Sequence, residues 1–210
     1  MRETMTDQKK WVWPSALLLI FALAGFWITR SYLQDARSLQ RPARQLQSFQ
    51  QVELMDSKSR TVPLQRYTGQ PKILYLGYSH CPDMCPMALS NLSRALKQEP
   101  ELQTRIQTIF VSVDPERDSP DQLGRYEKQF APLRLAALTG TEEQVQLLAT
   151  DLGARYEKAQ ATPGTSMGEY GVNHSLLFYF IDEENRLVAT TPSGISPDAI
   201  LDAIKLHLID

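Results

Sequence analysis

The longest uninterrupted apolar stretch lies at the amino terminus, where Trp11 to Thr29, WVWPSALLLIFALAGFWIT, carries no charge. As a helix rising ~1.5 Å per residue it would extend about 28 Å, enough to cross a bilayer core. Trp11, Trp13 and Trp27 stand near its ends, and Lys9, Lys10 and Arg30 bound it, as interfacial rings and flanking cations do at a membrane. A cleavable signal peptide would share the basic Lys9-Lys10 start and could be cut at Ala22-Leu23-Ala24. Phe26, Trp27 and Ile28 continue the apolar run past that point, which an anchor needs and a signal peptide does not. The expected division is a tail at 1–10, a single transmembrane anchor at 11–29, a polar Gln/Arg-rich linker containing Pro42 at 30–48, and one globular domain at 49–210.

Within the domain the pattern changes to short apolar runs separated by turns. Residues 52–55 and 61–64 alternate weakly about Asp56-Ser57-Lys58-Ser59 and predict a hairpin, with Pro63 placing the second strand at a sheet edge. Residues 72–78 (KILYLGY) are almost continuously apolar, the signature of a strand covered on both faces, and 106–113 (IQTIFVSV) repeat it. Helices are predicted over 87–97, where Leu89, Leu92 and Leu96 keep helical spacing, over 119–130 behind a Ser119-Pro120 start, and over 141–152 behind Thr141. A third strand is expected at 133–138 and an irregular loop at 159–171. A hairpin follows, 175–182 and 186–191 over Glu183-Glu184-Asn185, and a closing helix at 197–209. Alternating strands and helices predict an α/β domain with a central mixed sheet flanked by helices.

Charge changes the picture only slightly. Up to residue 44 there are seven Lys/Arg against three Asp/Glu, and beyond it fifteen against twenty-one, a balance that argues against a nucleic-acid partner. The chemistry is in the cysteines. There are two, too few for a disulfide framework, and they stand four positions apart as Cys81 and Cys85 where the strand 72–78 gives way to a helix. On the first turn of a helix two such sulfurs face the same way, and the N-terminal amides favour the thiolate. The pair can share a metal ion or bond to one another, and with an imidazole it makes a soft donor set suited to Cu(I). A structural zinc site wants four ligands, one more than is evident here.

Three histidines compete for the third position. His207 lies among Ile204, Leu206 and Leu208 on the closing helix and reads as a helix-face residue. His80 adjoins the pair in sequence but can point away from it. His174 immediately precedes the apolar strand SLLFYFID, which can carry it to the sheet edge that holds the cysteines.

Three segments, GYSHCPDMCPMAL at 77–89, VSVDPERDSP at 111–120 and YGVNHSLLFYFID at 170–182, resemble the signatures of the Sco/SenC family, over roughly residues 50–208 and in order. The resemblance implies a thioredoxin-like fold behind an N-terminal anchor, with copper, as Cu(I) or Cu(II), held by Cys81, Cys85 and His174. It also implies work on the dinuclear copper site of cytochrome c oxidase, on the outer, periplasmic side of a bacterial inner membrane, with the tail at 1–10 in the cytoplasm. The implied partners are the copper-accepting oxidase subunit and a second copper carrier or thiol reductant. One departure is evident: the family's Asp before the ligand histidine is Asn173 here, which keeps a carbonyl but loses a charge. Asp114 and Asp118 read as loop and cap residues.

The leading expectation is a copper metallochaperone. A thiol-disulfide oxidoreductase, in which either Cys81 or Cys85 attacks first, is the enzymatic alternative. A thiol peroxidase would share the helix-start cysteine, but no peroxide-site pattern accompanies it.

Overall fold

The computed structural model describes residues 43–159 and 170–209, together with Gly25. The chain divides into two units, Met1–Arg41 and Pro42–Asp210. The anchor expected at 11–29 and the tail at 1–10 lie outside the described residues apart from Gly25, as do most of the linker and residues 160–169 of the expected loop. Among the described residues no helix is long and apolar enough to cross a membrane.

In the second unit β1 (Arg44–Gln45), α1 (Ser48–Gln51), β2 (Glu53–Asp56) and β3 (Thr61–Pro63) lead through a tight turn at Leu64–Tyr67 into β4 (Lys72–Gly77). Then come α2 (Met84–Lys97), α3 (Pro100–Arg105), β5 (Gln107–Ser112), α4 (Pro120–Gln129), β6 (Leu135–Thr139) and α5 (Glu142–Leu152). The described chain ends with β7 (Tyr156–Lys158), β8 (Val172–His174), β9 (Leu177–Ile181), β10 (Arg186–Pro192) and α6 (Pro197–Ile204), which widens into a last turn at Lys205–Ile209.

Eight strands form one mixed sheet in the order β1-β10-β9-β4-β5-β6-β2-β3. β4, β5 and β6 run parallel, with Lys72 opposite Gln107 and Gly77 opposite Ser112. Every residue of β4 and β5 is buried, in keeping with the apolar middles ILYL and IFV of these central strands. Pro63 ends up in β3 at the sheet edge, where a missing N–H breaks no ladder. Helix starts follow their caps: Ser119 Oγ accepts from Gln122 N, and Thr141 forms a capping box with Gln144. Gly153 closes α5 in the left-handed region, at φ 72°.

Three features differ from expectation. Residues 43–48, expected as linker, pack with the domain: Leu46 and Phe49 are buried, Arg44 pairs with Asp151 at 3.0 Å, and Ser48 N donates to Asp151 Oδ2 at 2.7 Å. β7 and β8, on either side of the loop expected at 159–171, pair antiparallel as a separate two-stranded ribbon, where no strand was expected. The helix after β4 begins at Met84 rather than Met87, so it takes in Cys85 but leaves Cys81 in the turn before it. Pro82 and the non-helical Asp83, at φ −139° and ψ −69°, keep the helix from starting earlier.

Candidate metal centre

β4 delivers the chain to the site. Tyr78 follows its last residue, and a turn closed by Cys81 N donating to Tyr78 O, at 3.2 Å, puts Cys81 beyond the strand end. Cys85, on the first turn of α2, is fully buried, whereas Cys81 is partly exposed. Although Cys81 is not on the helix, it receives a helix amide: Cys85 N donates to Cys81 Sγ at 3.4 Å.

Close approach of the Cys85 sulfur to the strand depends on Gly77. A Cβ there would lie 3.0 Å from Cys85 Sγ and 2.8 Å from Phe110 Cε2, so a side chain at this position has no room.

His174 arrives on β8. Its Nδ1 lies 3.2 Å from Ser175 O and its Nε2 lies 3.5 Å from Cys85 Sγ. One ring nitrogen thus faces a backbone carbonyl and the other faces the cysteine sulfurs, the orientation from which an imidazole can serve as a metal ligand through Nε2. The rings of Tyr75 and Tyr78 stand edge-on to His174 at 6.0 Å and 6.1 Å and hold its plane.

The two thiols are electrostatically unequal. The Cys85 thiol, then His174 and the backbone N–H groups of Cys85 and Asp83, donate to Cys81 and bring it down to about 3 against the opposing effect of burial. Cys85 is pushed up, first as donor to the Cys81 anion and then by its burial. The resting pair is thus one outer thiolate and one inner thiol.

Among the described residues no three His, Cys, Asp or Glu side chains are already gathered tightly into a metal-holding group. Cys81 and His174 each lie against Cys85, through its N–H at 3.4 Å and its sulfur at 3.5 Å respectively. The donor chemistry fits a soft cation: two sulfurs, one already anionic, and a neutral imidazole. A cavity of about 330 Å³ opens onto this set, with Cys81, Met84, Asn173, His174 and Leu176 on its wall. A second, of about 400 Å³, reaches His174 and Asn173 from the side of Arg155 and Glu157.

The remaining predicted residues have other places. His80 does not line the cavity; its Nδ1 lies 3.2 Å from Asp118 Oδ1. Asp118, fully buried, also accepts from Ser79 N at 2.8 Å, Ser79 Oγ at 2.6 Å and Ser112 Oγ at 2.6 Å, and so buckles the cysteine turn to the start of α4. Asp114 is buried beside it, accepting from Tyr170 OH at 2.6 Å and pairing with Arg117, whose guanidinium lies 3.7 Å over the Tyr170 ring. His207 packs on Phe180 far along the chain's last turn, with ring centroids 6.1 Å apart. Sequence reasoning did not single out Tyr75 or Tyr78. Their signal was present in KILYLGY, but aromatic residues in a buried strand read as core before they read as a wall around a site.

Fold and site together define a thioredoxin-like protein with a dithiol at the end of a central strand and an imidazole against it. Residues 40–208 match the SCO1/SenC family model, and the chain belongs to that family. The bovine mitochondrial protein SCO2 homolog is 32% identical over 193 residues, covering 89% of this chain and 71% of its own length. The chain spans a smaller share, 60%, of the mouse homologue. A solved ScoI from Arabidopsis thaliana, described as having copper bound, superposes with a TM-score of 0.66 at 30% identity, over 73% of this chain and 92% of that one. BsSco, described as a member of the Sco family of cytochrome c oxidase assembly proteins with a disulfide switch, shares the fold at a TM-score of 0.58 and 22% identity, over 78% of this chain and 93% of that one.

Proposed function

We propose that this protein is a copper metallochaperone: it takes one copper ion on Cys81, Cys85 and His174 and serves assembly of the dinuclear copper site of cytochrome c oxidase. Residues 11–29 hold it in a bacterial inner membrane with the domain on the outer side. The observation that carries the reading is the contact of His174 Nε2 with Cys85 Sγ at 3.5 Å, between residues 89 positions apart. An imidazole at that distance supplies, beside the two sulfurs, the third soft donor that a copper carrier needs. The copper-bound relative supports the choice of metal.

The chain's own residues divide the work. Cys81, outermost and anionic, meets the ion first. His174 adds a neutral nitrogen without a further proton to release, and Cys85 completes the set by giving up its thiol proton. Copper itself supplies only the cargo's preference for soft donors. Titration of the reduced full chain with Cu(I) should give one ion per chain, with affinity lowered at least about tenfold by Cys81→Ala, Cys85→Ala or His174→Ala. Unchanged affinity in His174→Ala would sink the assignment.

A second reading draws on the inequality of the thiols, and makes the protein a reductant of its acceptor's cysteines. The Cys81 thiolate would attack an acceptor disulfide, forming a mixed disulfide and releasing one acceptor thiolate. Cys85, after losing its proton, would then attack the Cys81 sulfur. The acceptor leaves as a dithiol, having gained two electrons from the pair, one proton from Cys85 and one from solvent, and Cys81–Cys85 is left as the disulfide. A gel-shift assay on an oxidised two-cysteine acceptor peptide, set beside the copper titration, separates the readings: His174→Ala should cost copper affinity at least about tenfold, while it leaves in place both sulfurs that reduction requires.

A further inference from the structure

Tyr75 sits in the middle of β4 with its side chain fully buried. Its ring is fixed by Phe178 at 5.3 Å and Phe110 at 6.3 Å between centroids, in addition to the edge contact with His174. Its hydroxyl, the one polar atom of the side chain, lies 3.7 Å from Cys85 Sγ, within reach of an O–H···S hydrogen bond. A phenol removed from water needs an acceptor. Ser193, also buried, is near enough to influence the phenol, but its hydroxyl makes no hydrogen bond of acceptable geometry. The sulfur is therefore the principal acceptor.

We propose that Tyr75 is a positioning residue of the metal pair: its phenol donates to the Cys85 sulfur, and so sets how firmly that sulfur holds copper and how readily it enters a disulfide. The inference rests on the copper reading above. In a dry site a donor gains most from an anionic acceptor, so the bond is stronger to a copper-bound thiolate than to a thiol. A disulfide sulfur is the weakest acceptor of the three, and the same bond favours the reduced pair. By drawing electron density from the ligand sulfur, the phenol also raises the energy needed to move charge from sulfur to a bound Cu(II). The ring cannot swing away from this task, because both its faces are packed and its backbone lies in a central strand.

Tyr75→Phe keeps the ring and removes only the oxygen. In the full chain we expect it to move the sulfur-to-Cu(II) charge-transfer band to lower energy and to weaken Cu(I) binding about tenfold against a chromophoric chelator, as loss of a hydrogen bond to a charged group does. In a metal-free dithiothreitol redox buffer the cysteine pair should shift several-fold toward the disulfide. Placing 3-fluorotyrosine at position 75, a stronger donor of nearly the same shape, should move the band the other way, and it decides the matter if the Phe variant does not fold. Wild-type band, affinity and dithiol equilibrium in a folded Tyr75→Phe protein would overturn the proposal. Absence of copper binding by the wild type would instead remove the carrier reading, while the metal-free equilibrium would still test the phenol.

Discussion

Cys81 and Cys85 are the same residue type four positions apart, yet folding gives them opposite characters. Cys81, brought down to about 3 by donors led by the Cys85 thiol, is an anion at any ordinary pH. Its alkylation by iodoacetamide, followed by peptide mass spectrometry, should therefore run at a constant rate from about pH 5 to 8, whereas an ordinary thiol gains about tenfold per unit over that range. Cys85, buried and held protonated by its bond to that anion, should stay unmodified. A Cys81 rate that climbs about tenfold per unit would contradict the asymmetry. Asn173 is the other residue of consequence, exposed on β8 and present on the walls of both cavities. Restoring a carboxylate with Asn173→Asp adds a negative charge beside the site and should tighten Cu(II) more than Cu(I), as competition titrations in the two oxidation states would show.

At the scale of elements, the signal of the sequence was strongest where one physical demand dominated. β4 and β5 were legible because burial on both faces concentrates apolar residues in their middles and leaves the polar ones, Lys72, Gln107, Thr108 and Ser112, toward their ends, and α4 and α5 because Ser119 and Thr141 announce their starts. The β7–β8 ribbon was not: Tyr156–Lys158 and Val172–His174 are three residues each, mostly polar, and their pairing spans a long connection that no local pattern records. The position of Cys81 was missed for a related reason. The four-residue spacing suggested one helical turn for both cysteines, whereas Cys81 lies in the turn that precedes the helix start at Met84.

The convergence of Cys81, Cys85 and His174 was nevertheless readable from the order of strands and motifs. What fastens it was not. Asp118 joins three elements with one carboxylate, and its Ser112, His80 and Ser79 partners lie 6, 38 and 39 positions away. Asp118→Asn replaces an acceptor oxygen by a donor that faces hydroxyl hydrogens, and should cost about 2–3 kcal/mol of stability in denaturant unfolding. An unchanged midpoint would show that the turn before α2 holds itself.

Across the whole molecule, the end of the sheet opposite the cysteines carries its own unusual group. Lys72 is fully buried at the start of β4, its amine donating to Asp182 O and Asn185 Oδ1, each at 2.7 Å, and lying 5.3 Å over the Phe49 ring. Burial, opposed by the attraction of Asp182, Glu183 and Glu184, pushes it down from 10.5 to about 8. Between those two values the unfolded chain binds more protons than the folded one, so stability rises with pH there. The penalty for burying the ammonium is fully felt below pH 8 and is gone above 10.5. The unfolding free energy of wild type minus that of Lys72→Met should be flat below pH 8 and then climb by on the order of 2 kcal/mol. A difference that stays level throughout would mean the amine titrates normally.

The ribbon that carries His174 is not hydrogen-bonded into the eight-stranded sheet that positions the cysteines. An ion gripped by all three side chains would therefore act as a cross-link between the ribbon and the body that carries the cysteines. Loading and ordering would then be one event. Amide exchange in Tyr156–Lys158 and Val172–His174 should slow on addition of Cu(I) more than in β4 or β5, and return to its metal-free rate when the cargo leaves. A recipient that pries His174 loose would not need to compete with the sulfurs at full strength, because a loosened strand has already begun to let go.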